Sequence, residues 1–268
     1  MPPSRFSISS VLLSYFLVAG GIALGLLLFV TLKLAGQVGL YGVLAVGGAI
    51  GGAIAARASR GSTVIEPAIG SLLVIATLVA VLLGTGVGEL LWHVASDEII
   101  RLVVLSAGAA AVGAIAGAVV VERAVPGHSD SPVAWLVYIA VATLGASVVG
   151  LVVMGGAIAR GQSGDGALAG MFFGAMGAGA LITGLAAGVA APRRLLMMSL
   201  AGAAAGVMGF FLMLRGLPSN GGDDGEAAAG FAVMGVGCGL LAMVGNLLAW
   251  SLYGRRRAAA RSAAGVFE

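Results

Sequence analysis

Apolar residues run through this chain in long uninterrupted blocks. Uncharged stretches cover 11–32, 38–56, 68–88, 102–121, 133–159, 167–191, 195–214 and 227–253, and every charged side chain falls in a gap between them or at a terminus. No stretch shows the strict alternation of a half-buried strand. A hydrocarbon core of about 30 Å takes about 20 apolar residues as a helix, so each block is long enough to be a spanning helix. The blocks at 133–159 and 227–253 have 27 residues each and are expected to tilt or to project beyond the core. The longest gaps, 89–101 and 215–226, have 13 and 12 residues, too few for a soluble domain. The first of these, within "GELLWHVASDEIIR", reads as a short connector resting in the interface as an amphipathic half-turn. The N-terminal "MPPSRFSISSVLLSYFLVAGG" starts like a signal peptide, but its uncharged run lasts 22 residues, 11–32, with no small-residue cleavage pattern, and it reads as an uncleaved first span.

Within the blocks the small residues keep helical spacing. "GGAIGGAIAARASR" at 47–60 contains two overlapping GxxxG pairs, Gly47/Gly51 and Gly48/Gly52. The fourth block aligns Ser106, Ala110, Gly113 and Gly117, and the sixth aligns Gly170, Gly174, Gly177, Gly184 and Gly188. The seventh carries Ser199, Gly202, Gly206 and Gly209, and the eighth Gly235, Gly239, Ala242, Asn246 and Ala249. Spacings of three, four and seven put each set on one helix face, and such faces let backbones approach in lipid, where burial of apolar surface gives no drive to associate. Packing within the chain and packing between chains are both open on this pattern. The doublets at 47–52 are not a phosphate loop, because a dinucleotide fingerprint needs a preceding strand and an acid about 20 residues on, whereas here a spanning block leads into arginines and Glu66 follows 14 residues after Gly52. "GQSGDG" at 161–166 reads as a turn in which glycine supplies positive φ.

Composition agrees with this pattern. Hydrophobic residues make up 60% of the 268 and charged residues 9%, with 46 glycines; the mean hydropathy is +1.10. A soluble domain carries about 25% charged residues. The net charge of +3 carries no signal for nucleic acid, but its placement orients the chain. With the N-terminus inside, Arg5, Arg57, Arg60, Arg123, Arg193, Arg194, Arg255, Arg256, Arg257 and Arg261 fall on the cytoplasmic side, against Lys33, Arg101, Arg160 and Arg215 opposite. That excess predicts both termini in the cytoplasm. Trp135, Trp250 and Tyr253 at one level, with Tyr41 and Trp92 at the other, are placed as aromatic belts would be. Only one of the 14 basic residues is lysine, a weak sign of a GC-rich bacterial genome.

The even-numbered blocks all run out into arginine, and the markers Arg57, Arg123, Arg193 and Arg255 are separated by 66, 70 and 62 residues. Such a period suggests a helical hairpin repeated four times, and the likeness of "GQVGLYGVLAVGGAIGGAIAAR" to "GQSGDGALAGMFFGAMGAGA" suggests duplication of a four-helix half. The expected architecture is therefore an all-α polytopic transmembrane helical bundle of eight spanning helices. Its expected parts are a first half at 1–123, a second at 124–257 and a cytoplasmic tail at 258–268, in the bacterial cytoplasmic membrane.

Chemistry-bearing residues are few. Charge near mid-bilayer, the usual pointer to function, is missing. Glu66, beside Pro67, reads as an N-terminal helix acid favoured by the helix dipole or, less simply, as an ion-coupling group. Asn246 lies on the small-residue face of the eighth block and reads as interhelical glue or as a ligand contact. His93 and His128 fall on opposite sides and cannot share a metal, and Cys238 sits mid-helix without a charged neighbour. Asp223, Asp224 and Glu226 read as a solvated acidic turn rather than as a divalent-ion site, to which Asp165 would have to contribute, and the terminal "RRRAAARSAAG" as an anchor to anionic lipid. No catalytic set, zinc ligand set, cofactor fingerprint or nucleic-acid patch is expected. Two functions stay open: a structural or accessory subunit packing through glycine faces, with a partner membrane protein or further copies of itself, and a passive channel or facilitator for a small neutral solute. The path of the channel would be lined by Thr77, Ser106, Thr143, Thr183, Ser199 and Asn246.

Overall fold

The computed structural model describes residues 8–31, 37–58, 64–84, 86–124, 131–161, 164–190, 195–215 and 224–254, and within them the chain is all helical. The helices are α1 (Ile8–Thr31), α2 (Gln37–Ala58), α3 (Ile65–Leu83), α4 (Gly86–Ala124), α5 (Pro132–Ala159), α6 (Asp165–Ala190), α7 (Leu196–Arg215) and α8 (Asp224–Ala249), which ends in a π-helical turn, Trp250–Gly254. Helices satisfy every backbone polar group internally, as lipid demands. Five are long and apolar enough to cross a membrane, in the ranges Gly39–Ala58, Ile100–Ala124, Pro132–Ala159, Gly166–Val189 and Ala227–Leu252, and they mark a multi-pass membrane protein. The apolar stretches described on the other three are shorter: Ser10–Leu26, Ile65–Val81 and Leu196–Leu212.

Helix ends follow local chemistry. Pro132 occupies the first position of α5, where its missing N–H costs nothing. The Ser131 hydroxyl there accepts the Ala134 N–H at 3.2 Å, as an N-cap does. At the other end Gly161 takes φ +77°, and its N–H donates to Ile158 O at 2.9 Å, the left-handed stop expected of the "GQSGDG" turn.

One segment differs from the sequence expectation. Residues 89–101 form no separate connector; they belong to α4, which runs unbroken for 39 residues, about 58 Å at 1.5 Å per residue. "ELLWHVASDEIIR" contains no glycine or proline to break a helix, and polarity alone does not stop one. Asp97 and Arg101 also stand four apart, a spacing that supports a helix.

The chain divides into two compact units: 1–129 with 141–179, and 130–140 with 180–268. In the first, α1 is the hub. A methyl group built on Gly21 would come 2.6 Å from Gly51 N of α2, one on Gly70 of α3 would come 2.8 Å from Ser14 C of α1, and one on Gly20 would come 2.9 Å from Val141 C of α5. Leu17 and Val18 of α1 are wholly buried, and Val18, Ala19 and Ile22 pack with Leu44, Val74, Ile75, Ala110 and Ala114 to form the core. In the second unit α7 and α8 pair along their length, the C-terminal turns of α6 lie against α8, and the start of α5 lies against α7.

Leucine and valine also line outward faces. Val233, Val236, Leu240, Val244 and Leu247 recur along the exposed side of α8, and Val104, Val112 and Val120 along that of α4. Branched side chains on the outward faces, with glycine and alanine at the closest helix contacts, suit a lipid surround.

Candidate functional site

The glycine faces bring helix backbones close together. The two GxxxG pairs of α2 serve different neighbours. Gly47 and Gly51 meet α1, where a methyl on Gly51 would come 2.5 Å from Val18 Cα, and Gly48 and Gly52 meet α4, where one on Gly48 would come 2.5 Å from Ala110 O. α4 answers with Gly113 and Gly117, which press on Ala45 and Ala49 of α2. These two helices therefore share a reciprocal seam with carbonyl oxygens in van der Waals contact across it.

In the second unit Gly184 and Gly188 of α6 meet Ala242 and Asn246 of α8, Gly202 of α7 meets Leu136 and Ile139 of α5, and Gly235 and Gly239 of α8 meet Ala204 and Leu200 of α7. Gly206 is buried and Gly177 half-buried. The α6 stripe thus divides. Its C-terminal part is covered by α8, whereas Gly170 and Gly174, together with Gly166 one turn earlier, are exposed, with no atom within 4 Å of a methyl built on them. Ala178 continues that open row at the same spacing of four and is also exposed.

The candidate polar residues are divided between the two units. Glu66 and Ser106 belong to the first unit, Thr183, Ser199 and Asn246 to the second. Glu66 lies in the first turn of α3, wholly buried beside buried Pro67 and four residues before the Gly70–Ser14 contact. Ser106 is half-buried on α4. Asn246 is wholly buried, and its Nδ2 donates to Ser199 Oγ at 3.2 Å, a rung between α8 and α7. The hydroxyls turn onto their own helices: Thr77 donates to Leu73 O (2.9 Å), Ser147 to Thr143 O (2.9 Å), Thr183 to Ala180 O (3.0 Å) and Ser199 to Leu195 O (2.9 Å). A donor engaged with its own backbone is not offered to a solute.

Several contacts were not anticipated in the sequence. Tyr15 OH lies 3.1 Å from Thr77 Oγ1. Because Thr77 donates to Leu73 O, the tyrosine is the donor, which makes a second interhelical rung, α1 to α3. Arg160, at the end of α5, donates its Nε to Gly84 O just past the end of α3 and so caps a helix C-terminus with a cation. The glycine at 84 is what makes room, since a methyl there would run into the guanidinium. Trp135 departs from its expected belt position: it is 3% exposed, stacked edge-on against Tyr138 with ring centroids 5.5 Å apart. Trp250, 39% exposed, does face outward. Cys238 is a buried free thiol.

The side chains of His93, His128, Asp165, Asp223, Asp224, Glu226 and Trp92, and the basic residues at 255–261, lie outside what the structure describes. Among the described residues no three histidine, cysteine, aspartate or glutamate side chains gather as metal ligands would. Compared with family models, with curated proteins and with solved structures, the chain matches none.

Proposed function

We propose that the protein is a structural or accessory membrane subunit, a non-catalytic bundle that associates laterally with another transmembrane helix through the open glycine row of α6. The observation that carries this reading is the contrast between faces. Gly47/Gly51, Gly48/Gly52, Gly113/Gly117 and Gly184/Gly188 are all filled by a neighbouring backbone, while Gly166, Gly170 and Gly174 repeat the same spacing with nothing against them. In lipid an uncovered row of this kind is the part of a helix surface that gains most from a close neighbour. The self-bonded hydroxyls support a holding role over a conducting one. In this reading all eight helices span the cytoplasmic membrane of a bacterium, with arginine-rich ends and both termini inside and two similar halves, 1–123 and 124–257, descended from one.

The test is native mass spectrometry of the protein gently extracted from its own membrane, beside the Gly170→Leu/Gly174→Leu double variant. A stoichiometric second protein or a homo-oligomer that the double variant loses supports the subunit reading. A strict monomer in both would overturn it and turn attention to solute flux in vesicles.

A further inference from the structure

The structure assigns to the second unit a buried site for one neutral hydroxyl group, that of a water molecule or a small alcohol, held between the indole N–H of Trp135 and the side-chain oxygen of Asn246. Both residues are more than nine-tenths buried, at 3% and 0% exposed, and both Trp135 Nε1 and Asn246 Oδ1 lack a hydrogen-bond partner. One is a donor and the other an acceptor. Buried polar atoms are almost always satisfied, by protein or by a bound molecule, and at membrane depth bulk water cannot serve.

The packing brings both residues to the same stretch of α7. Gly202 of α7 is the common point: a methyl on it would come 2.8 Å from Leu136 O and 2.9 Å from Ile139 Cβ, which places Trp135, next to Leu136, at the level of Gly202. Ser199 is three residues before Gly202 on the same helix, less than one turn away. Ser199 Oγ holds Asn246 Nδ2 at 3.2 Å, so the Asn246 carboxamide lies within about one helical turn of that level.

Rotating the carboxamide does not resolve the orphan. The Ser199 proton already goes to Leu195 O at 2.9 Å, so Ser199 can only accept, and Nδ2 must stay on it. The oxygen is then fixed as an open acceptor. The pair also defines the guest. A cation would face the positive edge of an indole N–H, and an anion would face a carboxamide oxygen with no cation among the described side chains of this unit to balance it. A hydroxyl accepts from Trp135 and donates to Asn246 in one group. Gly188, Gly202 and Ala249 stand on the adjoining helix faces.

The experiment is ultraviolet resonance Raman of the full chain in nanodiscs, carrying Trp92→Phe and Trp250→Phe so that only Trp135 reports, with the indole N–H hydrogen-bond marker band as readout. A hydrogen-bonded band in plain buffer that shifts to the free position in Asn246→Ala supports the site with water as occupant. A free band in buffer that shifts saturably on titration with 1-propanol, in the parent but not in Asn246→Ala, supports it with an alcohol as occupant. A free band under both conditions overturns the proposal, as does a hydrogen-bonded band indifferent to Asn246→Ala. The parent spectrum can overturn the site by itself, and if Asn246→Ala does not fold, Asn246→Ser takes its place as the variant without a carboxamide.

Discussion

Adding one methyl at Gly52 tests the packing argument most directly. An alanine Cβ at this position would lie 2.6 Å from Ala114 Cα and 2.7 Å from Ala114 C of α4, and nearer still to Ala114 O. Carbon atoms rest at about 3.5–4.0 Å. The helices must therefore separate locally by about 1 Å, and the obstacle is backbone, which cannot swing aside as a flexible side chain would. Because Gly48, Gly113 and Gly117 lie on the same seam, separation at Gly52 also loosens their contacts with Ala110, Ala45 and Ala49. Overpacking of a tight interior costs about 1–3 kcal/mol, and the rigid obstacle places Gly52→Ala in the upper half of that range. Gly42, on the same helix, is the control: it is exposed, and a methyl there meets nothing within 4 Å. Gly42→Ala should be neutral or slightly stabilising, since alanine is the better helix former. Unfolding of both variants in nanodiscs, followed by steric trapping or by thermal loss of the monodisperse peak, should rank Gly52→Ala well below the parent and Gly42→Ala level with it. Equal curves for the two variants would refute the seam.

The Asn246–Ser199 rung should show a coupling of about 0.6 kcal/mol, and no more than about 1.7, in a double-mutant cycle of Asn246→Leu with Ser199→Ala; strict additivity would remove the rung. Arg160→Leu should lower stability by about 0.5 kcal/mol through loss of the cap on α3, a small effect because the guanidinium is exposed, and Gly84→Ala should add little to it, since both break one contact. If the two changes add fully, that contact is not what holds the helix end. Gly170→Leu/Gly174→Leu should leave the melting of the isolated chain unchanged while abolishing lateral association; a melting shift as large as that of Gly52→Ala would mean that this row is covered within the chain.

Much of the architecture is legible because length and spacing are intrinsic to a helix. An uncharged run of 20 residues identifies an element, and glycines four apart identify a face, so the two packing faces of α2 lie open in "GGAIGG". Which neighbour covers a face is not written in the helix itself. The row on α6 reads as one stripe, yet only Gly184 and Gly188 meet α8, while Gly170 and Gly174 stay open. Hydropathy misleads at 89–101 because it reports where a segment would sit, not whether its hydrogen bonds break, and nothing in that segment breaks them. Trp135 shows the same limit: position near a block end fits an interfacial tryptophan and a buried one equally, and it is buried. The rungs Tyr15–Thr77 and Asn246–Ser199 join residues 62 and 47 apart, a distance over which no local pattern speaks.

The unbroken α4 also has a mechanical meaning. Its seam with α2 at Gly113 divides it into unequal arms, about 40 Å back to Gly86 and about 16 Å on to Ala124 at 1.5 Å per residue. Rocking about that fulcrum gives a lever ratio of about 2.5, so a displacement of about 1 Å at the short arm sweeps the far tip through about 2.5 Å. The helix runs unbroken between seam and tip, so a load applied at Gly86 would reach the glycine contacts as torque.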